Sequence, residues 1–278
     1  MTEKATITFR FYEELNDFLA PERRKREFAW GCPVGATVKH AIEALGVPHT
    51  EVELVLVDGM SVGFDHALAG GERVAAYPVF EAFDVTPLVR VRDGPLRTPR
   101  FIADAHLGGL ARLLRLAGFD TLFANAWADD EIVRIALAEH RIVLTRDRAL
   151  LMRRELTHGC YVHAQHGTAQ AHEIFERLDL RGSAQPFTRC LVCNSPLQRV
   201  DRAAVASRVP PGVLERHDRF AACAGCGRIY WEGLHWKRMS ATLDALLADA
   251  TCPFRHPADG TPGRAVRPIP SCRCRPPR

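Results

Sequence analysis

The runs FIAD at residues 101–104 and IVLTRD at residues 142–147 each place an aspartate just after a short apolar segment. Continuous apolar segments of this length are typical of strands that are buried on both faces of a parallel sheet. Because groups just past the carboxyl ends of such strands face a common crevice, we expect Asp104 and Asp147 on one rim. Neighbouring strands are only about 4.8 Å apart, so the carboxylates would repel each other without a cation. Mg²⁺ or Mn²⁺, which prefer oxygen ligands, would suit this position.

A third acidic cluster, Asp129-Asp130-Glu131, precedes an apolar helical pattern between those two runs. One reading makes it a further part of the same carboxylate site. The alternative is that Asp129 or Asp130 serves only as the N-cap of the helix. Similarly, Asp104 could cap the helix that follows it, and Asp147 could form a surface ion pair with a neighbouring arginine.

The alternation of strand and helix patterns over residues 100–180 predicts a three-layer α/β domain with a parallel sheet. The expected elements include a helix from Leu107 to Ala117 that stops at Gly118, and a strand from Asp120 to Phe123. Further on, we expect a helix over residues 150–156, a strand over residues 161–164 and a helix over residues 169–178.

Residues 1–80 are predicted to form a small α+β domain with the order ββαββ. The expected strands are Ala5–Phe11, Arg26–Trp30, Leu54–Val57 and Arg73–Tyr77, and the expected helix is Val38–Leu45, capped by Thr37. This order resembles the ubiquitin-like grasp of sulfur carriers and of the module attached to some nucleases. Carriers end in a Gly-Gly tail, whereas here the last strand continues into residues 78–80. We therefore expect docking or scaffolding, with a protein partner for this module.

The charge of the chain is unevenly distributed. Residues 181–278 carry 16 Lys/Arg against 7 Asp/Glu, a net charge of +9, whereas residues 1–97 carry 11 against 15, a net charge of −4. A basic region beside an acidic metal-site candidate indicates a polyanionic partner. Residues 81–99, with three prolines, are predicted to be a linker. Residues 249–278, rich in Pro, Arg and Gly, are predicted to be a disordered basic tail.

The chain contains no run of 18 or more apolar residues, so we expect no membrane span. The first residues, Met1 to Lys4, are not followed by an apolar signal segment, which favours a cytoplasmic location. In a reducing compartment, nine cysteines indicate metal ligation more than disulfides.

Cys190-x-x-Cys193 and Cys223-x-x-Cys226 are two knuckles, separated by 29 residues. Four thiolates in this spacing predict a closed tetrahedral zinc site, which stabilises a fold and leaves no open position for catalysis. We therefore predict a zinc ribbon over residues 187–248 that is closed by a short helix from Met239 to Leu247.

The segment after the second knuckle interleaves aromatic and basic residues, a pattern that suits stacking on unpaired bases and contact with phosphates. Alternatively, the aromatic side chains fill a small core between the ribbon and the central domain. Two arginines of the first central helix fall between its apolar positions. The predicted RNA-binding residues are Arg112, Arg115, Arg228, Trp236, Lys237 and Arg238.

RFIADAHLGGLARLLRLAGFDT at residues 100–121 and DDEIVRIALAEHRIVLTRDRALL at residues 129–151 resemble the RNase domain named after the C-terminal part of Mut-seven. That family belongs to the PIN-like nucleases, and the resemblance extends over residues 100–248 because the zinc segment belongs to the pattern. It implies a metal site on Asp104, Asp147 and the acidic cluster. The choice between Asp129 and Asp130 stays open, with Asp129 favoured.

The resulting hypothesis is a metal-dependent endoribonuclease. A water activated by Mg²⁺ or Mn²⁺ on the carboxylates would attack the phosphodiester in line. Arg146 or Arg148 would hold the phosphate or offset the developing charge. The alternatives are a non-catalytic RNA-binding or adaptor protein, in which the acids are only structural, and a nuclease directed at DNA.

Overall fold

The computed structural model of the protein describes residues 4–78 and 99–248, which form three sheets. The strands are β1 (Lys4–Phe11), β2 (Phe28–Pro33), β3 (Leu54–Val57), β4 (Met60–Val62), β5 (Arg73–Tyr77), β6 (Arg100–Ala103), β7 (Asp120–Phe123), β8 (Ile142–Thr145), β9 (Gly159–Tyr161), β10 (Leu197–Val200), β11 (Phe220–Cys223) and β12 (Ile229–Trp231). The helices are α1 (Val38–Ala44), α2 (Gly108–Leu116), α3 (Asp129–Glu139), α4 (Arg148–Leu151), α5 (Gly167–Arg177), α6 (Arg202–Val205), α7 (Pro211–Leu214) and α8 (Leu234–Leu247). The predicted tail, and the predicted linker apart from Pro99, lie outside the described residues.

The N-terminal sheet has the mixed order β2-β1-β5-β3-β4, with β1 parallel to β5, which is the predicted ubiquitin-like grasp. The predicted pairing of β1 with β2 is confirmed, although two short 3-10 helices between the strands replace a tight hairpin. The Thr37 hydroxyl accepts from the His40 amide at 3.3 Å, which confirms the predicted N-cap of α1. Strand β4 was not predicted. It follows a turn at Asp58 and Gly59, both of which have positive φ.

The pair Gly70-Gly71 of this module forms the turn that leads into β5, where both residues have positive φ. The Gly71 amide donates to the Thr6 carbonyl at 2.8 Å and ties the turn to β1. Glycine meets no Cβ penalty in this backbone region. The pair therefore has a structural role within the sheet, as expected for a module without carrier chemistry.

The central sheet is parallel, with the order β7-β6-β8-β9. One face, which includes Phe101 and Leu144, packs against α2 and α5. The other face, which includes Ile102 and Val143, packs against α3. The predicted three-layer α/β domain is therefore confirmed. Because the chain passes from β6 to β7 and then returns to β8 on the other side of β6, the strand order switches between β6 and β8.

Gly118 ends α2, as predicted, for two physical reasons. Its φ is +96°, a value that favours glycine, and a Cβ at this position would lie 2.0 Å from the Gln185 carbonyl oxygen. The close approach allows the segment after α5 to pass beside the end of α2, where the Gln185 amide donates to the Ala117 carbonyl at 2.8 Å.

Three predicted elements differ from the structure. Helix α4 spans only Arg148–Leu151, because the backbone then makes two turns. In these turns the Arg153 amide donates to the Leu150 carbonyl and the Leu156 amide donates to the Arg153 carbonyl. Strand β9 begins two residues earlier than expected, in register with Val143 of β8. Helix α8 begins at Leu234, five residues before the expected start, and the Lys237 amide bonds to Gly233 in its first turn.

The ribbon sheet is antiparallel, with the order β10-β11-β12. Its small apolar cluster consists of Val205, Val209 and Phe220, against which Trp231 packs. Trp231 therefore contributes to the ribbon's own core, whereas the alternative to a stacking role placed the aromatic side chains in a core between the ribbon and the central domain.

The ribbon closes one edge of the central sheet. The Asn194 side chain accepts from the Thr121 amide of β7 at 3.0 Å, and the Arg115 guanidinium donates to the Thr121 carbonyl at 2.8 Å. The Asn194 amide group also donates to the Asp120 carboxylate at 2.7 Å. These bonds satisfy backbone groups that an open edge strand would expose.

The ubiquitin-like module closes the opposite edge in the same manner. The Glu51 carboxylate accepts from the Tyr161 amide of β9 at 2.5 Å, and the Arg177 guanidinium donates to the Tyr161 carbonyl at 2.7 Å. Each edge is thus capped by one side-chain acceptor and one arginine. The central sheet depends on both of its neighbours to satisfy its edge strands.

Candidate nuclease rim and cysteine cluster

The two aspartates that follow β6 and β8 lie at the carboxyl edge of the central sheet, where the strand order switches. The Asp104 amide donates to the Leu144 carbonyl at 3.0 Å, so the contact between the two chain segments continues past the end of β6. Open α/β sheets bind ligands in the crevice at this position. The expectation that Asp104 and Asp147 share a rim agrees with this arrangement.

The Thr145 hydroxyl links the two aspartates, a role that was not predicted from the sequence. It is fully buried at the end of β8, and its hydroxyl donates to Asp104 Oδ2 at 2.7 Å. The same hydroxyl accepts from the Asp147 amide at 2.9 Å. In the sequence, Thr145 could have been recognised as a candidate site residue because it is a hydroxyl residue at the end of an apolar strand, two positions before Asp147.

Both aspartates also cap the segments that follow them. Asp104 Oδ1 accepts from the Ala105 amide at 2.6 Å, and Asp147 Oδ1 accepts from the Ala149 amide at 2.8 Å. A carboxylate has about four lone-pair sites, so one capping bond leaves acceptor capacity on each group. The capping alternative is therefore correct in part and compatible with a ligand. The ion-pair alternative for Asp147 is not supported, because no arginine in the described ranges pairs with it.

The acidic cluster begins α3, but neither aspartate is its N-cap. Ala128 occupies the N-cap position, so the predicted cap at Asp129 or Asp130 is wrong; both residues lie inside the first turn. Asp130 forms an exposed ion pair with Arg153 at 2.7 Å. Asp129 accepts no hydrogen bond within residues 4–78 and 99–248. Because α3 follows β7, its first turn lies at the carboxyl edge of the sheet.

The three aspartates are not a compact cluster of ligands. Among the described residues, only the four cysteines 190, 193, 223 and 226 bring at least three ligand atoms of His, Cys, Asp or Glu within 4.8 Å of one another. Mg²⁺ usually keeps several waters and binds through one or two carboxylates together with substrate phosphates. The pair Asp104 and Asp147, which the Thr145 hydroxyl joins, is compatible with this mode.

The two arginines that flank Asp147 differ in their contacts. Arg146 is exposed and makes no hydrogen bond to the part of the chain that the structure describes. Arg148 donates to the Phe18 carbonyl at 3.2 Å and lies 5.0 Å from the centre of the Phe18 ring. The predicted phosphate role of Arg148 is therefore not supported by its contacts, since its guanidinium is held by the ubiquitin-like module.

Arg115 does not belong to an RNA-binding surface. Its side chain is buried and donates to the carbonyls of Thr121, Leu191 and Val192 at 2.8, 3.2 and 3.0 Å. The prediction failed because this position faces the first cysteine knuckle. Helical periodicity alone does not reveal a neighbour that lies 76 residues away in the sequence.

Three other predicted RNA-binding residues, Arg112, Arg228 and Trp236, line a cleft of about 1440 Å³ between the ribbon, α2 and α8. Trp236 stacks on Phe187 with ring centres 5.0 Å apart, and Arg228 is exposed. Arg112 lies 3.2 Å from a ring nitrogen of His235. The remaining two predicted residues are exposed on α8 and do not line the cleft; they are Lys237 and Arg238.

The four knuckle cysteines form a compact group of sulfur atoms. Cys190 Sγ lies 3.5 Å from Cys226 Sγ, and Cys193 Sγ lies 3.3 Å from Cys223 Sγ. These distances exceed the disulfide bond length of about 2.05 Å and approach the separation of about 3.8 Å between thiolates bound tetrahedrally to zinc at about 2.3 Å. The donor set and its geometry fit zinc.

The two knuckles share the same backbone turn. Asn194 and Gly227 both have left-handed φ values, +69° and +70°, and their amides donate to the carbonyls of Cys190 and Cys223 at 3.0 and 2.9 Å. The hydrogen bond with the Ser195 hydroxyl lowers the pKa of Cys193 to about 6. A lowered pKa favours the thiolate, which is the form that binds metal.

A ubiquitin-like grasp joined to a parallel α/β domain with carboxylates on its rim defines a modular protein of the nuclease type. The chain belongs to the family of the Mut7-C RNAse domain, whose model matches residues 99–243. A second model, Mut7-C ubiquitin, matches residues 4–84.

The chain also resembles a solved structure over part of its length. The crystal structure of small archaeal modifier protein 1 of H. volcanii is similar at 22% identity, over 27% of this chain and 97% of that chain, with a TM-score of 0.22. No curated protein matches the chain. Within the two described ranges, we found no helix with the length and hydropathy that crossing a bilayer requires.

Proposed function

We propose that the protein is a divalent-metal-dependent endoribonuclease, with Asp104, Asp147 and Asp129 as its metal-binding carboxylates. The observation that carries this proposal is the Thr145 hydroxyl, which bonds both rim segments at the switch in strand order. The family adds support for a nuclease role. The division into residues 1–80, 100–180 and 187–248 belongs to the same proposal.

The residues of the rim have distinct roles in this proposal. Bonds from Thr145 and from the Ala105 amide fix the orientation of the Asp104 carboxylate before substrate binds. The chemistry that a bound Mg²⁺ or Mn²⁺ supplies at such a site is a water of lowered pKa that attacks phosphorus. Arg146, which is exposed and free of described partners, is placed to meet a phosphate oxygen.

We also propose that single-stranded RNA binds along the cleft between the ribbon and α8. Arg112 and Arg228 would contact phosphates there, and the Trp236 ring would stack on a base, with Lys237 and Arg238 beside the cleft. The net positive charge of residues 181–278 supports a polyanionic ligand.

Asp104→Asn and Asp147→Asn are each expected to lower cleavage of end-labelled single-stranded RNA by about 100-fold or more, because a metal-bound carboxylate acts on the transition state. Cleavage should require Mn²⁺ or Mg²⁺ and stop with EDTA. The matched control is Asp130→Asn, which removes only an exposed ion pair with Arg153 and should cut at the wild-type rate.

Equal RNA binding without cleavage by all these proteins would favour the adaptor alternative. Preferential cutting of single-stranded DNA in a competition would favour a DNA-directed nuclease. A loss of activity in Asp130→Asn without a loss in Asp129→Asn would show that the two acids were assigned in the wrong order.

Arg228→Ala is expected to weaken binding of single-stranded RNA and to reduce the slope of log Kd against log salt by about 0.7, the value for one lost phosphate contact. Fluorescence anisotropy at several salt concentrations measures both quantities. Arg216→Ala is the control, because Arg216 is an exposed ribbon residue outside the cleft whose one hydrogen bond within residues 4–78 and 99–248 goes to the Gly212 carbonyl. Equal salt slopes for both variants would contradict a phosphate contact at Arg228.

A further inference from the structure

The ubiquitin-like module contacts the central domain beside the proposed catalytic rim. Two short segments of the module contact it, residues 13–18 and residues 49–51. In the second segment, the Glu51 side chain is fully buried and pairs with Arg177 at 2.5 Å. His49 Nε2 lies 2.8 Å from the Leu156 carbonyl. These buried, directional bonds fix one orientation of the module on β9.

The first segment, residues 13–18, contacts Arg148, which directly follows Asp147. The Arg148 guanidinium donates to the carbonyls of Phe18 and Asp17 at 3.2 and 3.4 Å. The same group lies over two aromatic rings, 5.0 Å from the Phe18 centre and 5.7 Å from the Tyr161 centre. Arg148 is therefore held between the module and strand β9.

Phe18 lies over the carboxyl end of β9, next to the rim. Its ring contacts Tyr161 edge-on at 5.3 Å and His163 at 5.5 Å. Tyr161 is paired with Thr145 of β8, the residue that bonds Asp104 and Asp147. The buried Nε2 of His163 has no hydrogen-bond partner among the described residues, so this histidine belongs to the interface and offers no group to an open cleft.

The helix that begins at Arg148 has only four residues and is capped by Asp147. Such a short helix cannot hold its own position, because helix nucleation is costly and short helices are stabilised by tertiary contacts. The turn that presents Asp147 is therefore held by tertiary contacts: the Thr145 hydroxyl before it, the anchored Arg148 after it, and Leu150 and Leu151, which are buried in the core beneath α4.

From these contacts we infer that the ubiquitin-like module is a built-in positioning element of the nuclease rim, and that Phe18 and Arg148 are positioning residues for Asp147. The inference rests on the proposed function. The partner of the module is then the central domain of the same chain. The module contacts this partner through residues 13–18 and 49–51. The module would act through the geometry of the metal-binding carboxylate and not through contact with substrate.

The test is a double-mutant cycle in the full-length, zinc-loaded protein with Phe18→Leu and Arg148→Ala. Leucine keeps an apolar side chain in the module core and removes the ring on which Arg148 packs. Affinity for Mn²⁺ is measured by electron paramagnetic resonance, and kcat and KM are measured with single-stranded RNA. Each single variant is expected to weaken Mn²⁺ binding and lower kcat by about 10-fold, with KM unchanged. The double variant should lose little more than either single variant.

Lys39→Ala is the matched control, because Lys39 contacts the Arg154 carbonyl at 3.4 Å in the same interface and touches no rim residue. It should leave Mn²⁺ affinity and kcat unchanged. A raised KM in Arg148→Ala, without an effect in Phe18→Leu, would overturn the inference in favour of direct phosphate binding by Arg148. Folded variants with wild-type Mn²⁺ affinity and kcat would also overturn it, while activity in the wild type would leave the proposed function intact. A wild type that neither binds Mn²⁺ nor cuts RNA would overturn both.

Discussion

Removal of zinc from the four-cysteine cluster is expected to unfold the ribbon and to destabilise the central domain with it. The ribbon has a small apolar cluster around Val205, Val209 and Phe220, and a domain of this size needs a further constraint to stay folded. Structural zinc binding contributes about 10–16 kcal/mol to folding in comparable small domains. The effect should spread to β7, because Asn194 of the first knuckle satisfies the Thr121 amide.

The measurement combines zinc analysis with thermal unfolding, before and after treatment with a chelator. We expect one zinc per wild-type chain and a lost or much weakened site in Cys190→Ser. Cys272→Ser is the control, since it changes a cysteine that is not one of the four of the cluster. A protein that contains no zinc, and whose unfolding is unchanged by the chelator, would contradict the prediction.

Glu51→Gln is expected to lower the free energy of unfolding by about 2–3 kcal/mol, because it removes the nearest carboxylate from the largely buried Arg177 guanidinium and leaves only Glu14 and Glu173, each at 3.7 Å, among the described residues. The Glu51 side chain is fully buried and also accepts from the Tyr161 amide of the edge strand. Urea denaturation of the full chain measures the change. The control is Glu27→Gln, which removes an exposed ion pair with Arg73 and should cost less than about 1 kcal/mol.

A second variant separates the lost charge pair from a local packing defect. Replacing both partners, with Glu51→Gln and Arg177→Met together, removes the guanidinium whose pairing the single variant weakens and should recover part of the lost stability. A change of less than about 1 kcal/mol in Glu51→Gln would mean that the module does not dock on β9 in solution.

The sequence predicted the elements of the central domain well because the relevant signals are local. The apolar runs at residues 101–103 and 142–144 identified two buried parallel strands and placed Asp104 and Asp147 at their ends. Gly118 marked the end of α2 because its backbone conformation and the close approach of Gln185 both require glycine. The expected cap at Asp129 or Asp130 failed by one or two residues, which is the usual precision of a helix start.

The roles of individual charged side chains could not be predicted, because they depend on distant neighbours. Arg115 and Arg148 both carry the pattern of exposed helical arginines. One is buried against the cysteine knuckle, and the other is held by a carbonyl 130 residues earlier in the chain. Thr145 looked like an ordinary strand residue until the structure placed its hydroxyl between two aspartates.

The ubiquitin-like grasp, the parallel α/β domain and the four-cysteine cluster could all be predicted from local sequence patterns. Each follows from hydrophobic periodicity or from ligand spacing within a few tens of residues. The closure of the two edges of the central sheet could not be predicted and is visible only in the folded protein. Glu51 of the ubiquitin-like module closes one edge, and Asn194 of the ribbon closes the other. The physical reason is that unsatisfied edge groups are paired by side chains from other parts of the chain, and no local pattern encodes which ones.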